Sequence, residues 1–395
     1  MNELSPDHQA LILAVPNISQ SECASILKDA VICGAGSFGT VYRACWNEKT
    51  VAVKCFRKSR SSRRDFQQLA FAFQSEHTNI VKLVAAGPDL PHSFTFAVLE
   101  YANCFSVNEV LHNLRDVSYT LAHSVSWTLQ ASRGADYLHR ICEPSIIHGD
   151  LKPANMLLFD SGRIVKLSDF GTADFEAVES VRRPGTFLYT APEISCVKSG
   201  DSLQYTDKCD VYSLTVSFWE MLARERPYER ILGPREQTHF WTVYKKRPPK
   251  LCGCPQLIQD FLDRGWAEDP QLRPSMLKVA SFLADVLHKV LGIQDGVDPI
   301  SIPSELPVTS DELTDQAWEP ELSDPPWDEI TDQKDHEDTL LDGSVESSGI
   351  SDQIEDIECF LSTSQSFGPN EMASRPAALR SLEIMCDPED RNPDE

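Results

Sequence analysis

The sequence predicts an α+β fold, with a strand-rich N-terminal part, a helical remainder and a disordered acidic tail at the C-terminal end. Three observations predict it. Short β-branched and aromatic runs flank a cluster of glycines at Gly34, Gly36 and Gly39. Apolar runs of helical length follow at residues 211–223 and 276–291. The charge then changes abruptly: residues 293–395 carry 28 Asp and Glu against 4 Lys and Arg, whereas residues 1–292 hold 32 of each sign. The net charge of −24 over 395 residues therefore belongs to the tail. An apolar content of 41% is ordinary for a globular chain, and the length allows one large domain or two.

Taken in order, residues 30–32 and 41–46 read as strands on either side of residues 34–41, G-A-G-S-F-G-T-V. Glycines spaced in this way also occur in dinucleotide-binding turns, but those need a helix after the glycines and an acidic residue about 20 positions on. Here a turn at residues 47–50 follows, then a third strand, V-A-V-K, ending on Lys54. The pattern is a glycine-bridged hairpin whose backbone N–H groups can lie over phosphates, because no side chain blocks the approach. Alone it also fits a plain Gly-rich hairpin with a surface lysine.

Residues 148–155 read H-G-D-L-K-P-A-N, and Asp169, Phe170 and Gly171 follow a short strand-like run. Asp150 can receive a proton from an attacking hydroxyl, and Lys152 adds a cation two residues on. Asn155 and Asp169 can hold metal beside a phosphate. Phosphoryl transfer needs this inventory, because its catalysis is mostly positioning and charge neutralisation around a triphosphate. Further on come residues 185–193, G-T-F-L-Y-T-A-P-E, then Asp210, then Arg273 and Pro274. In this order and spacing the chain, over residues 24–292, resembles the protein kinases. Local wording is similar to the transforming-growth-factor-β-activated branch of the MAP kinase kinase kinases. It is carried by residues 79–83, 98–102, 137–139, 169–173, 208–211 and 269–276, with Ser126, Trp127 and Gln130.

The resemblance implies a two-lobed kinase fold with ATP between the lobes. A sheet lobe spans residues 24–99 and a helical lobe residues 104–292, after an extension at residues 1–23. ATP and Mg²⁺ are the implied cofactors. Gly34, Gly36, Ser37, Phe38, Gly39, Val41 and Lys54 would contact the nucleotide. Glu100 and Ala102 would offer hinge backbone to adenine, with Leu99 at the back of the pocket. Asp150 and Lys152 would be catalytic, and Asn155 and Asp169 would hold metal. Lys152 and Thr186 match the serine/threonine form, in which that threonine hydrogen-bonds the catalytic Asp and Lys. Glu193 and Arg273 would form a buried structural ion pair, and Asp210 would brace the catalytic loop. The implied substrate is a protein, such as a MAP kinase kinase, and adaptor proteins are implied partners.

Three positions depart from the family pattern. The acidic partner of Lys54 is expected at residues 67–69, where Gln68 is the neutral occupant; Asp65 falls about one turn too early and Glu76 about two turns too late. Gly149 stands where an arginine usually clamps a phosphorylated loop, leaving Ser180 and Thr186 as phosphate acceptors beside Arg182 and Arg183. Thr215 replaces a glycine, which predicts altered packing. These departures keep open a rival reading, an inactive kinase-like adaptor.

In the tail, prolines punctuate a stretch rich in Asp, Glu and Ser, with too little apolar surface to offset chain entropy. Trp318, Trp327 and the run at residues 354–361 fit either incidental aromatics in a solvated tail or anchors for a partner. No heptad pattern argues for a coiled coil. The acidic tail argues against intrinsic affinity for nucleic acid or anionic membrane. Twelve scattered cysteines without a C-x-x-C spacing, no signal-like N-terminus and no run of about 18 apolar residues fit a cytoplasmic protein with reduced thiols.

Overall fold

Strands β1 (Val31–Gly36), β2 (Gly39–Trp46) and β3 (Lys49–Phe56) form an antiparallel meander. In the computed structural model, residues 15–36, 39–56, 77–87, 96–142, 145–175, 186–195, 205–228 and 247–303 are described. Asn47 and Glu48, with φ of 49° and 61°, join β2 to β3. Two consecutive positive φ values make the reverse-twisted two-residue turn that matches strand twist. Strand β4 (Leu83–Gly87) and strand β5 (Phe96–Glu100) complete a five-stranded sheet in the order β1-β2-β3-β5-β4. Val51, Val53, Ala85, Phe96 and Val98 from one face make the small lobe's core.

Helix α1 (Gln20–Leu27) adds Cys23 and Ile26 to that core, and Ser19 caps it by accepting from the Glu22 N–H at 3.2 Å. Ile18 is 1% exposed, its N–H donates to the Ala86 carbonyl, and the Ala86 N–H donates to Pro16. Residues 16–18 therefore pack with this lobe, upstream of the start expected at residue 24. The short apolar stretch there carried no motif, so its pairing with β4 was not legible.

The large lobe is built around helix α2 (Leu121–Arg140) and helix α4 (Lys208–Ala223), with the short α3 (Pro192–Ser195) between them in sequence. Helix α4 is buried on all sides from Cys209 to Met221, its polar residues Asp210, Ser213, Thr215, Ser217 and Glu220 included. Helix α5 (Gln256–Gly265) and helix α6 (Met276–Asp285) pack around them. Ser275 caps α6, and a π-helical turn, Val286–Val290, ends the amphipathic run expected at residues 276–291. Among the described residues, no helix is long and apolar enough to cross a membrane.

Residues past the boundary expected at residue 293 also pack on the large lobe. Val297 is 5% exposed and Ile300 7%. The Ile300 N–H donates to Ser161, and His123 Nε2 lies 2.9 Å from the Asp298 carbonyl oxygen. The stretch up to Pro303 is thus part of the large lobe. Averaging charge over the whole acidic region concealed three apolar residues, Val297, Ile300 and Ile302, that pack on the lobe. Residues 304–395, where the rest of the expected tail falls, lie outside the described residues.

Candidate active site

Two small two-stranded sheets present the candidate residues. Strand β6 (Ile146–Ile147) pairs with β9 (Asp174–Phe175), and β7 (Met156–Phe159) with β8 (Ile164–Leu167). The loop after β6 and the loop after β8 consequently emerge side by side. The Ser168 N–H donates to the Asn155 carbonyl at 2.9 Å, which brings Asn155 next to the residue preceding Asp169.

Asp210 organises the first loop from below. It is fully buried on α4, and its carboxylate accepts from the His148 and Gly149 N–H groups, each at 2.8 Å, with His139 Nε2 at 2.7 Å. Burial alone would raise this carboxyl; the hydrogen bond and charge of His139, the charge of His148 and the Gly149 N–H outweigh it and hold it below the usual carboxylate range.

Asp150, 5% exposed, sits at the centre of the next shell of contacts. Its Oδ1 accepts from the Thr186 N–H at 2.8 Å. Its Oδ2 accepts from Lys152 Nζ at 2.7 Å and from Asn155 Nδ2 at 3.1 Å. Asn155 Nδ2 also donates to the Asp150 carbonyl, and Lys152 Nζ donates to Thr186 Oγ1. Asp150, Lys152, Asn155 and Thr186 are thus one network. Thr186 bonds both residues, as the resemblance implied: Lys152 through its hydroxyl and Asp150 through its main-chain N–H.

Lys54 projects from β3 and donates to Asp169 Oδ1 at 2.5 Å. Asp169 has φ 58° and ψ 72°, a left-handed conformation uncommon for a residue with a Cβ. The surroundings impose it: Phe170 is wholly buried, its ring 5.0 Å from that of His148, and His148 Nε2 lies 3.0 Å from the Ser168 carbonyl oxygen. Burial would raise the Asp169 carboxyl, but Lys54, by charge and hydrogen bond, with His148 and Lys152 by charge, holds it below the usual range.

The glycine hairpin is joined to the Lys54 strand by backbone pairing. Gly36 stands opposite Gly39, and Val41 opposite both Gly34 and Lys54. A Cβ on Gly39 would meet the Cys55 carbonyl oxygen at 2.1 Å, so strand packing requires glycine there. At Gly34 a Cβ would meet nothing within 4 Å, and packing makes no such demand. Ser37 and Phe38 lie outside the described residues. At the hinge, the Glu100 carboxylate is taken up by Lys166 at 2.7 and 2.8 Å and by the Lys82 N–H at 2.7 Å. The Glu100 N–H is also engaged, donating to the Lys82 carbonyl at 3.0 Å, so a contact of Glu100 with a ligand would run through its carbonyl.

A sequence profile for the protein kinase domain matches residues 27–283. The chain belongs to the protein kinase family. Its kinase domain is similar to mitogen-activated protein kinase kinase kinase 7 of Drosophila melanogaster, at 34% identity over 266 residues, covering 67% of this chain and 37% of that protein. It is also similar to the protein of that name from Homo sapiens, at 34% over 294 residues, covering 74% and 46%. A putative mitogen-activated protein kinase kinase kinase 7-like protein of Drosophila melanogaster is 29% identical over 278 residues, covering 68% of each chain. The chain thus spans about half or less of the first two relatives.

Within this kinase domain, Arg273 and Glu193 form the expected ion pair, two parallel bonds of 2.7 and 2.8 Å, with Arg273 2% exposed. Thr215 answers its departure locally: a Cβ on Gly265 would meet Thr215 Oγ1 at 2.2 Å, so the bulk gained on α4 is matched by its absence on α5. Gln68 lies outside the described residues. Two contributions went unread in the sequence. His148 supports both loops, and Tyr205 packs against Gly149. The histidine heads the most informative motif and was legible; the tyrosine acts by shape and left no signal.

Proposed function

We propose that this chain is an ATP-dependent serine/threonine kinase that acts as a MAP kinase kinase kinase, with a MAP kinase kinase as its protein substrate. The observation that carries the reading is the network joining Asp150, Lys152, Asn155 and Thr186, with the Lys54–Asp169 pair beside it. Asp150 orients the substrate hydroxyl and takes its proton as the oxygen attacks the γ-phosphorus, while the bond from that phosphorus to the β–γ bridging oxygen breaks and ADP leaves with the electron pair. Thr186 and Lys152 hold that carboxylate in place, and Lys152 offers its charge to the transferring phosphoryl group. Lys54 neutralises the other phosphates beneath the glycine hairpin, whose open face at Gly34 admits them. Main-chain groups of Glu100 and Ala102 hold adenine, with Val41 above it.

The donor set fits a divalent cation. Asp169 stays ionised, and both Asn155 bonds use its Nδ2, which leaves the amide oxygen to face an ion. These are hard oxygen donors of the kind magnesium prefers. When bound, magnesium supplies charge neutralisation on the triphosphate. A cytoplasmic location agrees with the free cysteines among the described residues.

The test is transfer of labelled phosphate from ATP·Mg²⁺ to serine, threonine and tyrosine peptides by wild type and Asp150→Asn. Incorporation into serine or threonine, reduced about a hundredfold or more in the variant, is the expected result. The adaptor reading is favoured by Gly149; folded wild type that binds ATP but transfers none of it would establish that reading instead.

A further inference from the structure

Gly149 is gripped from three sides. Its N–H is held by Asp210 of α4. A Cβ built on it would meet Tyr205 Oη at 2.0 Å, Tyr205 Cζ at 3.2 Å and the Thr172 carbonyl oxygen at 3.0 Å. Its φ of 77° lies in the left-handed region, so the backbone there already favours glycine. Tyr205 is 8% exposed and enters just before α4, so the phenol and Asp210 approach the same peptide from adjoining parts of one chain segment. Thr172 in turn donates its hydroxyl to the His148 carbonyl, closing the third side. Around the phenol lie Thr190, Ala191, Ile194 and Ser213, with about 10 Å³ of space left unfilled.

Glycine has the widest backbone freedom of any residue, and here it immediately precedes Asp150. Rotation of the peptide at residue 149 would swing the Asp150 carboxylate out of its network. Asp210 restrains the N–H side of that peptide; it does not occupy the space beside the α-carbon. Tyr205 does.

We propose that Tyr205 is a positioning residue for Asp150: its phenol occupies the place of a side chain at position 149 and locks the glycine peptide, so that the loop is set by an aromatic wedge. This rests on the reading of Asp150 as the proton-accepting group. It also means that setting the loop requires no charge at residue 149, and that a larger residue there cannot be accommodated while Tyr205 is in place.

The test compares full-chain wild type, Tyr205→Phe, Tyr205→Leu and Ile194→Ala, the last a packing control from the same pocket. Two readouts are taken: kcat and KM for ATP, and amide hydrogen exchange over residues 146–155, which needs no turnover. Tyr205→Leu should lower kcat on the order of tenfold or more, as a small misplacement of a catalytic group does, with KM for ATP within about twofold. Exchange at residues 148–150 should quicken. Tyr205→Phe, which keeps the ring, should retain most of both. Ile194→Ala should lower melting temperature without either change.

Wild-type kcat and exchange in folded Tyr205→Leu would overturn the proposal, as would an equal fall in kcat for Ile194→Ala at equal loss of stability. Should Tyr205→Leu not fold, Gly149→Ala decides. Its kcat should be depressed and partly regained when Tyr205→Phe removes the hydroxyl that meets the new methyl; no regain counts against the wedge. If wild type itself transfers no phosphate, the kinase reading fails, while the exchange measurement still decides whether Tyr205 sets the loop.

Discussion

At the scale of single residues, the site depends on carboxylates kept ionised by their neighbours. Asp169→Asn removes the charge that Lys54 meets at 2.5 Å while leaving a side chain of the same shape. Phosphate transfer should fall by about two orders of magnitude or more, the loss that follows removal of a preorganised charge. Its melting temperature should shift little, because the carboxylate is 32% exposed and such pairs contribute modestly to stability. Unchanged turnover in the folded variant would refute the metal-holding role. Asp210 gives a pH signature. Its carboxyl is held below the usual range in the folded state, so on acidification the unfolded chain takes up the proton first. The stability it contributes is present above about pH 4 and is lost as pH falls through the lowered folded value. Melting curves between pH 3 and 6 should show this loss in wild type and a flatter acid limb in Asp210→Asn. The candidate residues from Asp150 to Asn155 and Asp169 were legible because their chemistry demands particular side chains at short spacing. The resemblance implied that Thr186 bonds Asp150, but not through which atom; the bond runs through its main-chain N–H, and a backbone donor leaves no trace in residue identity.

At the scale of elements, the first three strands and the helices at residues 208–223 and 276–285 were legible because their periodicity and turn residues agree with one another, whereas the 20-residue α2 was not read as a helix. The two ends of the domain were not. Residues 16–18 and 297–300 are short, lack repeating pattern, and gain their structure only from the surface they pack against. From the sequence alone, a truncation near Gly292 should leave stability intact. The structure reverses that expectation. Removing residues 293–395 exposes the surfaces covered by Val297 and Ile300, each burial being about 1.5–3 kcal/mol at most. It also leaves the Ser161 carbonyl and His123 Nε2 without their partners in that stretch. The melting temperature of residues 1–292 should therefore drop by several degrees, and that of residues 1–303 should equal that of the full chain. Equal melting temperatures for all three would show the contacts of residues 297–300 to be inconsequential.

At the scale of the whole molecule, residues 1–303 are close to neutral while residues 304–395, with 26 Asp and Glu against 4 Lys and Arg, carry nearly all the net charge of −24. A neutral body gives a charged extension little reason to adhere. Transfer by the full chain and by residues 1–303 should match at low and high salt, since exposed attraction is screened within about 10 Å at 0.1 M. Inhibition that appears only in the full chain and fades with salt would instead place the acidic residues across the body. The sheet bears on how copies of the molecule meet. One border, β4, is occupied by residues 16–18 of the same chain. The opposite border, β1, presents Val31 at 53% and Ile32 at 63% exposure. Among the described residues, main-chain pairing between copies in concentrated protein would thus be directed to the β1 border, where the irregular register between Ile32 and Gly34 interrupts the ladder and would keep any such seam short.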